Sequence, residues 1–100
     1  MICDSYYRFF NTVSHRMRWE ILRLLEKKAM SVSEICEALG EEQSKVSHNL
    51  KKLVDCNFLD VQKEGRSRIY SLNKETILPL MELVEKHVRN YCGKKCWVRK

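Results

Sequence analysis

Two short amphipathic helices joined by a glycine turn constrain the fold more than any other feature of this chain. Apolar side chains at Val32, Ile35 and Leu39 predict the first helix, and Gly40 supplies the left-handed residue that ends it. Only two acidic residues then precede a second set of apolar residues with helical spacing: Val46, Leu50, Leu53 and Val54. Two helices joined by so tight a turn are typical of a helix-turn-helix unit.

Local capping signals support this helix pair. Ser31 and Glu34 stand three residues apart, so that the hydroxyl and the carboxylate can each satisfy an unpaired amide at the start of the first helix. Glu41 and Glu42 suit the positive end of the second helix dipole. Both helix starts are therefore predicted close to these residues.

Helical periodicity predicts two helices before this pair and one at the end of the chain. The first presents Ile2, Tyr6, Phe9 and Val13; the second, capped by Ser14, presents Met17, Ile21, Leu24 and Leu25; the last, capped by Asn73, presents Ile77, Met81, Val84, Val88 and Tyr91. Pro79 either kinks the last helix or lies in its first turn, and the sequence leaves both open. Gly93 is predicted to end that helix.

A β-hairpin is predicted between the fourth and fifth helices. Asn57 stands where a left-handed residue is needed, and alternating apolar and polar residues predict strands at 58–61 and 68–72. Gly65 lies in the turn between them. The predicted fold is mainly α with a small β-hairpin, a winged helix-turn-helix of four helices, two strands and a fifth helix.

The 100 residues correspond to one domain. A chain of this size buries only about two-thirds of its unfolded surface, so a partner subunit would help. We expect a domain over 1–92 and a basic, cysteine-containing tail over 93–100. The longest apolar run, 77–81, is far shorter than the about 18 residues that span a bilayer, which excludes a membrane span. Asp4 and Arg8 interrupt the start of any secretory signal, so a cytoplasmic location is expected.

The charge pattern predicts a polyanionic partner. Lysine and arginine outnumber aspartate and glutamate by 19 to 13, a formal net charge of +6. Off the apolar stripe, the fourth helix carries mostly hydrogen-bonding or cationic side chains: Gln43, Ser44, Lys45, Ser47, His48, Lys51 and Lys52. In a DNA major groove such a helix meets base edges near its start and phosphates further along. Taken alone, an ordinary solvated helix face would look the same.

The hairpin favours the interpretation as a DNA-binding surface. Lys63, Arg66 and Arg68 lie on either side of Gly65. A slim loop that carries arginines can enter the minor groove beside a helix in the major groove. The sequence therefore predicts double-stranded DNA as the partner.

These elements together resemble the winged-helix repressors of the arsenic-repressor (ArsR) family, small bacterial and archaeal sensors. The matching residues are Ser14, His15, Arg18, Glu20, Ile21 and Leu22 for the opening helix pair; Leu39 and Gly40 through Gln43–Ser47 to Leu50–Leu53 for the recognition helix; and Glu64–Tyr70 for the wing. The resemblance implies a homodimer joined through the first and last helices. A dimeric winged-helix regulator is expected to bind a pseudo-palindromic operator whose half-sites lie about one helical turn apart.

The chain departs from the family at several positions. Arg16 stands where the family usually has proline and Asn49 where it usually has histidine, so the base preference of the family does not transfer. Members that sense arsenic or cadmium carry Cys-Val-Cys where this chain has 31–33, Ser-Val-Ser. A hydroxyl is a poor ligand for a soft metal, so that sensing site is predicted to be lost. Cys36 matches a further family cysteine but is more simply a small core residue.

Two other cysteines, Cys92 and Cys96, are predicted to lie about 6 Å apart at Cα if the helix continues. Neighbouring lysines would favour reactive thiolates there. With help from Cys3 or from the other subunit, the pair could hold a thiophilic metal ion such as zinc, or it could form a redox disulfide. Two idle thiols in a frayed tail are the alternative.

The sequence therefore predicts a dimeric DNA-binding transcriptional regulator, a repressor that responds to a thiophilic metal or to redox state. Two alternatives remain: a regulator without an effector, and a winged-helix module that binds proteins. His15 and His48 lack the neighbours of a catalytic base, so an enzyme is not expected.

Overall fold

The computed structural model describes residues 4–92, apart from the side chain of Asp4. The elements follow one another as α1 (Asp4–Val13), α2 (Arg16–Leu25), β1 (Met30–Ser31), α3 (Val32–Leu39), α4 (Gln43–Asp55), β2 (Leu59–Glu64), β3 (Ser67–Leu72) and α5 (Ile77–His87), with a π-helical turn at Val88–Cys92. The predicted order of helices and hairpin is confirmed. The predicted tail at 93–100 and the helix end at Gly93 lie outside the described residues.

The start of α3 is held by the capping pair that the sequence predicts. The Ser31 hydroxyl accepts a hydrogen bond from the backbone N–H of Glu34 at 3.2 Å, and the Glu34 carboxylate accepts one from the Ser31 N–H at 2.9 Å. Gly40 ends α3 with a φ of 66°, a left-handed conformation that costs glycine little. These two local devices define the helix-turn-helix pair α3–α4.

The sheet has one more strand than predicted. Its order is β1-β3-β2, and β1 pairs with β3 through Met30 opposite Tyr70 and Ser31 opposite Ile69. A strand of two residues is too short to show alternation, so periodicity could not reveal it. The turn of the β2–β3 hairpin contains Gly65, whose φ is 60°. The sheet thereby attaches the wing to the start of α3.

Two predicted caps are wrong. His15, not Ser14, is the residue before α2, and the Ser14 hydroxyl donates to the carbonyl of Asn11 at 3.3 Å because it belongs to the end of α1. Asn73 accepts hydrogen bonds from the two residues before α5, at 3.0 and 3.3 Å. It therefore forms the turn that leads into α5, which begins four residues later. Pro79 lies in the first turn of α5, where its missing N–H leaves no helical hydrogen bond unmade.

The core lies where α2, α3 and α4 pack against the sheet and the start of α5. Its fully buried members include Ile21, Leu22, Ile35, Val46, Leu50, Leu53, Phe58 and Met81. The apolar stripe predicted for α4 thus faces inward. Among residues 4–92, no helix is both long enough and apolar enough to cross a membrane.

Candidate nucleic-acid interface

The polar residues predicted on α4 all face outward. Each of the following side chains is exposed: Gln43, Ser44, Lys45, Ser47, His48, Lys51 and Lys52. Between them, Val46, Leu50 and Leu53 have no exposed surface. The core therefore holds α4 by its apolar side and leaves its polar side available to a partner.

Asn49 is the exception on this helix, because its side chain is buried, with 6% exposure. Its amide nitrogen donates to the carbonyl of Lys45 at 2.9 Å and approaches Met17 Sδ at 3.2 Å. Its amide oxygen accepts from Arg18 Nε at 2.9 Å. By the family resemblance Asn49 bears on base preference, whereas the structure makes it a buried link between α4 and α2. Its spacing from Val46 and Leu53 was the available signal, since it places Asn49 on the apolar stripe.

The cations of the hairpin are exposed on the wing. Lys63 on β2 lies opposite Arg68 on β3, and Arg66 lies in the turn. None of the three has a carboxylate within ion-pair distance among the described residues. These positive charges are therefore available to an external anion.

A cleft of about 590 Å³ joins α4 to the wing. It brings together four of the predicted residues, Gln43, Ser47 and Lys51 from α4 and Arg68 from β3. Val54 and Tyr70 contribute apolar surface to its wall. Lys63 and Arg66 lie outside this cleft, further along the hairpin. Helix and wing thus form one continuous surface that offers hydrogen-bond donors and cations.

Several side chains of this surface are engaged only in weak exposed contacts. Lys51 pairs with Asp55 at 3.4 Å and Lys45 with Glu41 at 4.0 Å, each one helical turn away. The Ser44 hydroxyl donates to the Glu42 carboxylate at 3.2 Å. Exposed pairs of this kind contribute only about 0.3–0.5 kcal/mol, so a phosphate could replace them at little cost.

Comparison with known proteins identifies the family. The family model for bacterial regulatory proteins of the arsR family matches residues 16–61, from α2 into β2. The arsenical resistance operon repressor of Bacillus subtilis is 30% identical over 78 residues, which cover 77% of this chain and 74% of that protein. This chain belongs to the ArsR family.

Two further relatives of this ArsR-family chain are longer than it is. A probable mercury resistance operon repressor of Streptomyces lividans is 28% identical over 80 residues, 80% of this chain. The transcriptional regulator NmtR of Mycobacterium tuberculosis is 35% identical over 65 residues, 65% of this chain. The matched segments span 64% and 54% of these two relatives. By name, these relatives are regulators of transcription.

Solved structures confirm the winged-helix fold for this ArsR-family chain. The crystal structure of Rv0081 from Mycobacterium tuberculosis has a TM-score of 0.83 and 27% identity, with coverage of 91% of this chain and 92% of that one. A domain of Mb0332 from Mycobacterium bovis, described as a homodimeric winged helix-turn-helix DNA-binding domain, has a TM-score of 0.83 and 25% identity. The match covers 89% of this chain and 82% of that domain.

The predicted thiol site of this ArsR-family chain stays a prediction. Cys92 is a half-buried free thiol on the π-helical turn, whereas Cys96 and Cys3 lie outside the described residues. Within 4–92, no group of three or more histidine, cysteine or acidic side chains could hold a metal ion. Ser31, at the place of the family's Cys-Val-Cys, is occupied by the capping of α3.

Proposed function

We propose that this ArsR-family chain is a transcriptional repressor that binds DNA with α4 in the major groove and the hairpin beside it. The observation that carries this proposal is the separation of the two sides of α4. The core uses the apolar side of α4 and Asn49, while every other polar residue from Gln43 to Lys52 is exposed. The adjoining hairpin carries cations that have no ion-pair partner among residues 4–92. We assign the chain no catalytic role.

The order of side chains along α4 suits the groove. Gln43 at the start of the helix can bond an adenine edge in two places, and Ser44 and Ser47 can reach a base or a phosphate. Lys45, Lys51 and Lys52 suit phosphates, which fix the register of the protein on the duplex. His48 lies on the same exposed side. Arg66, Arg68 and Lys63 then suit the adjoining backbone and minor groove.

The proposal includes a homodimer joined through α1 and α5. Large apolar side chains that the described fold leaves exposed lie mainly on these two helices and the turn after α5: Tyr6, Tyr7, Phe10, Leu83 and Tyr91. Beside them, an apolar groove of about 430 Å³ contains Val13, Trp19 and Leu80. Exposed apolar surface of this extent is typical of a protein interface. The Mycobacterium bovis domain, described as homodimeric, supports a dimer for this chain.

We propose that the two-fold axis of the dimer places the two α4 helices on one face, which predicts a pseudo-palindromic operator with half-sites about one helical turn apart. Because the proposed partner is operator DNA, we place the protein in the cytoplasm. Regulation of transcription is supported by the names of the relatives, two of which are operon repressors.

A mobility-shift assay at several salt concentrations tests the proposal. With three or four phosphate-binding cations per subunit, the log of the affinity should fall against log salt with a slope of roughly −5 to −7. Combined Lys51→Gln, Lys52→Gln and Arg66→Gln substitutions should flatten that slope. The matched control combines Lys28→Gln, Lys74→Gln and Lys86→Gln, which remove three exposed cations elsewhere. Equal behaviour of the two variants, or no preference for the chain's own promoter, would favour the protein-binding alternative.

A second proposal concerns the effector. Relatives named for mercury and arsenical resistance support a response to a thiophilic metal, such as zinc or a heavier ion, or to oxidation, through Cys92, Cys96 and Cys3. The response should change DNA affinity about 5- to 150-fold. Cys92→Ser with Cys96→Ser should abolish it, whereas Cys36→Ser should not. If neither metals nor oxidants change the affinity of the parent protein for operator DNA, the chain is a regulator without an effector.

A further inference from the structure

A second cleft lies on the other side of α4, away from the wing. Its volume is about 570 Å³, and it is an open cleft lined by residues of α1, α2 and the end of α4. Residues that line it include Arg8, Thr12, Arg18, Lys52, Asp55 and Cys56. Of these, only Lys52 belongs to the DNA-binding set predicted from the sequence. The cleft is therefore a feature that the proposed function does not yet use.

The charge of this second cleft is strongly positive. Three cations face one carboxylate, and that carboxylate, on Asp55, is already paired with Lys51 at 3.4 Å. Arg8 and Lys52 have no carboxylate within 4.0 Å in the described part of the chain. Like charges gathered without counter-charges repel one another, and a bound anion would relieve that repulsion.

Of the three cations in this cleft, Arg18 is the one whose side chain is held in place by hydrogen bonds within the fold. It is half-buried, its Nε donates to Asn49 Oδ1 at 2.9 Å, and its Nη1 donates to the carbonyl of Thr12 at 3.4 Å. Both acceptors are neutral, and no described carboxylate lies within 4.0 Å of the Arg18 guanidinium. A guanidinium has five N–H donors in a rigid fork, and three remain after these two bonds. The fork is therefore held in place before any ligand arrives, which lowers the entropy cost of binding.

We propose that Arg8, Arg18 and Lys52 bind an oxyanion, a phosphate or a carboxylate group, in this cleft. The fixed Arg18 fork supplies directional hydrogen bonds, and the exposed Arg8 and Lys52 side chains close on the anion from α1 and α4. The buried Thr12 hydroxyl donates its hydrogen bond to the carbonyl of Arg8 at 2.8 Å. Its proton is therefore used within α1, and Thr12 forms part of the cleft wall without donating to the anion.

Two sources could supply the oxyanion. Asp55 lines both this cleft and the cleft beside the wing, so the two adjoin along the outer side of α4. A helix in the major groove has a phosphate backbone on each side, and the second cleft would meet the backbone opposite the wing. A free small molecule that carries a phosphate or carboxylate is the other source.

Cys56 provides a built-in reporter, because its thiol lines the cleft 3.6 Å from the Thr12 hydroxyl. Iodoacetate is an anion and iodoacetamide is neutral, and both alkylate the same thiolate. The ratio of their rates at Cys56, read by peptide mass mapping, therefore measures how strongly the cleft attracts an anion. In the variant with Arg8→Gln and Lys52→Gln the ratio should fall about fivefold. Both side chains are exposed, so the fold should persist, and a variant with Lys28→Gln and Lys74→Gln is the matched control.

Two arms of the experiment then separate the sources. Replacing chloride by inorganic phosphate at constant ionic strength should slow iodoacetate at Cys56 if a free anion binds. If a DNA phosphate binds, duplex DNA should protect Cys56, and Arg8→Gln alone, which removes one cation from each subunit of the dimer, should reduce the salt slope of DNA binding by about two. An unchanged reagent ratio in the double variant, with no effect of phosphate or duplex, would overturn the proposal. A phosphate effect in a protein that binds no duplex would instead refute the proposed function and leave this site standing.

Discussion

The two sides of α4 differ in burial and in bonding, although they belong to the same helix. On the inner side, Val46, Leu50 and Leu53 have no exposed surface, and the polar Asn49 is fully bonded. On the outer side, Lys51 and Lys45 make only exposed ion pairs one turn away. Burial fixes the inner side chains, since Val46, Leu50 and Leu53 have lost all contact with water and Asn49 nearly all of it. Nothing in the described fold requires the outward-facing polar side chains of α4.

Because the two sides of α4 are held so differently, fold and function can be altered separately on this helix. A change on the inner side should cost folding free energy and should weaken DNA binding only through unfolding. A change on the outer side should alter affinity for DNA and its dependence on salt, while the free energy of unfolding stays nearly constant. An outward variant that lowers the free energy of unfolding, or an inward variant that changes the salt dependence of DNA binding, would contradict this separation.

Leu50→Ala should show the largest effect on the inner side. Leu50 has no exposed surface and packs in the main core cluster, so truncation leaves a cavity. The expected loss is about 2–5 kcal/mol of the free energy of unfolding, measured by urea denaturation. Lys51→Gln, the next residue on the outer side, is the control and should lie within about 0.5 kcal/mol of the parent protein. A loss below about 1 kcal/mol for Leu50→Ala would contradict the packing described for this side.

Asn49→Ala should come next, at about 1–3 kcal/mol, because it removes the side-chain acceptor of Nε on the half-buried Arg18 guanidinium. A double-mutant cycle with Arg18→Met isolates the bond between the two side chains. We expect a coupling energy of at least about 0.5 kcal/mol. Additive effects of the two substitutions would show that Asn49 and Arg18 act independently, and the buried link between α2 and α4 would then be wrong.

Local chemistry explains why so much of this fold could be predicted. Ser31 with Glu34 and the left-handed Gly40 are signals that lie within a few residues of the structure they define. Asn57, with a φ of 63°, and Gly65 work in the same way for the hairpin. The outward side of α4 followed from helical period alone. Each of these features depends on neighbours in the sequence, which the sequence shows directly.

The features that escaped prediction depend on residues far apart in the chain. β1 exists as a strand only because β3 pairs with it, and Arg18 is 31 positions from the amide that it bonds. The cleft between α1, α2 and α4 combines Arg8 with Lys52, which no spacing rule relates. The cap assigned to Ser14 failed for a smaller reason, since α1 ends and α2 begins within three residues and the hydroxyl serves the earlier helix.

Asp55→Asn should have the smallest effect on the free energy of unfolding, and the direction of its effect on DNA affinity is informative. At the end of α4 a negative charge opposes the helix dipole, while its pair with Lys51 offsets that cost, so the free energy of unfolding should change by less than about 0.5 kcal/mol. DNA should nevertheless bind about two- to fivefold more tightly at low salt, because a carboxylate that adjoins both clefts is removed and Lys51 is released toward phosphate. Glu75→Gln removes an exposed acid away from α4 and serves as the control in the same mobility-shift series. Weaker binding by Asp55→Asn, with Glu75→Gln unchanged, would mean that the outer side of α4 does not face the phosphates of a duplex.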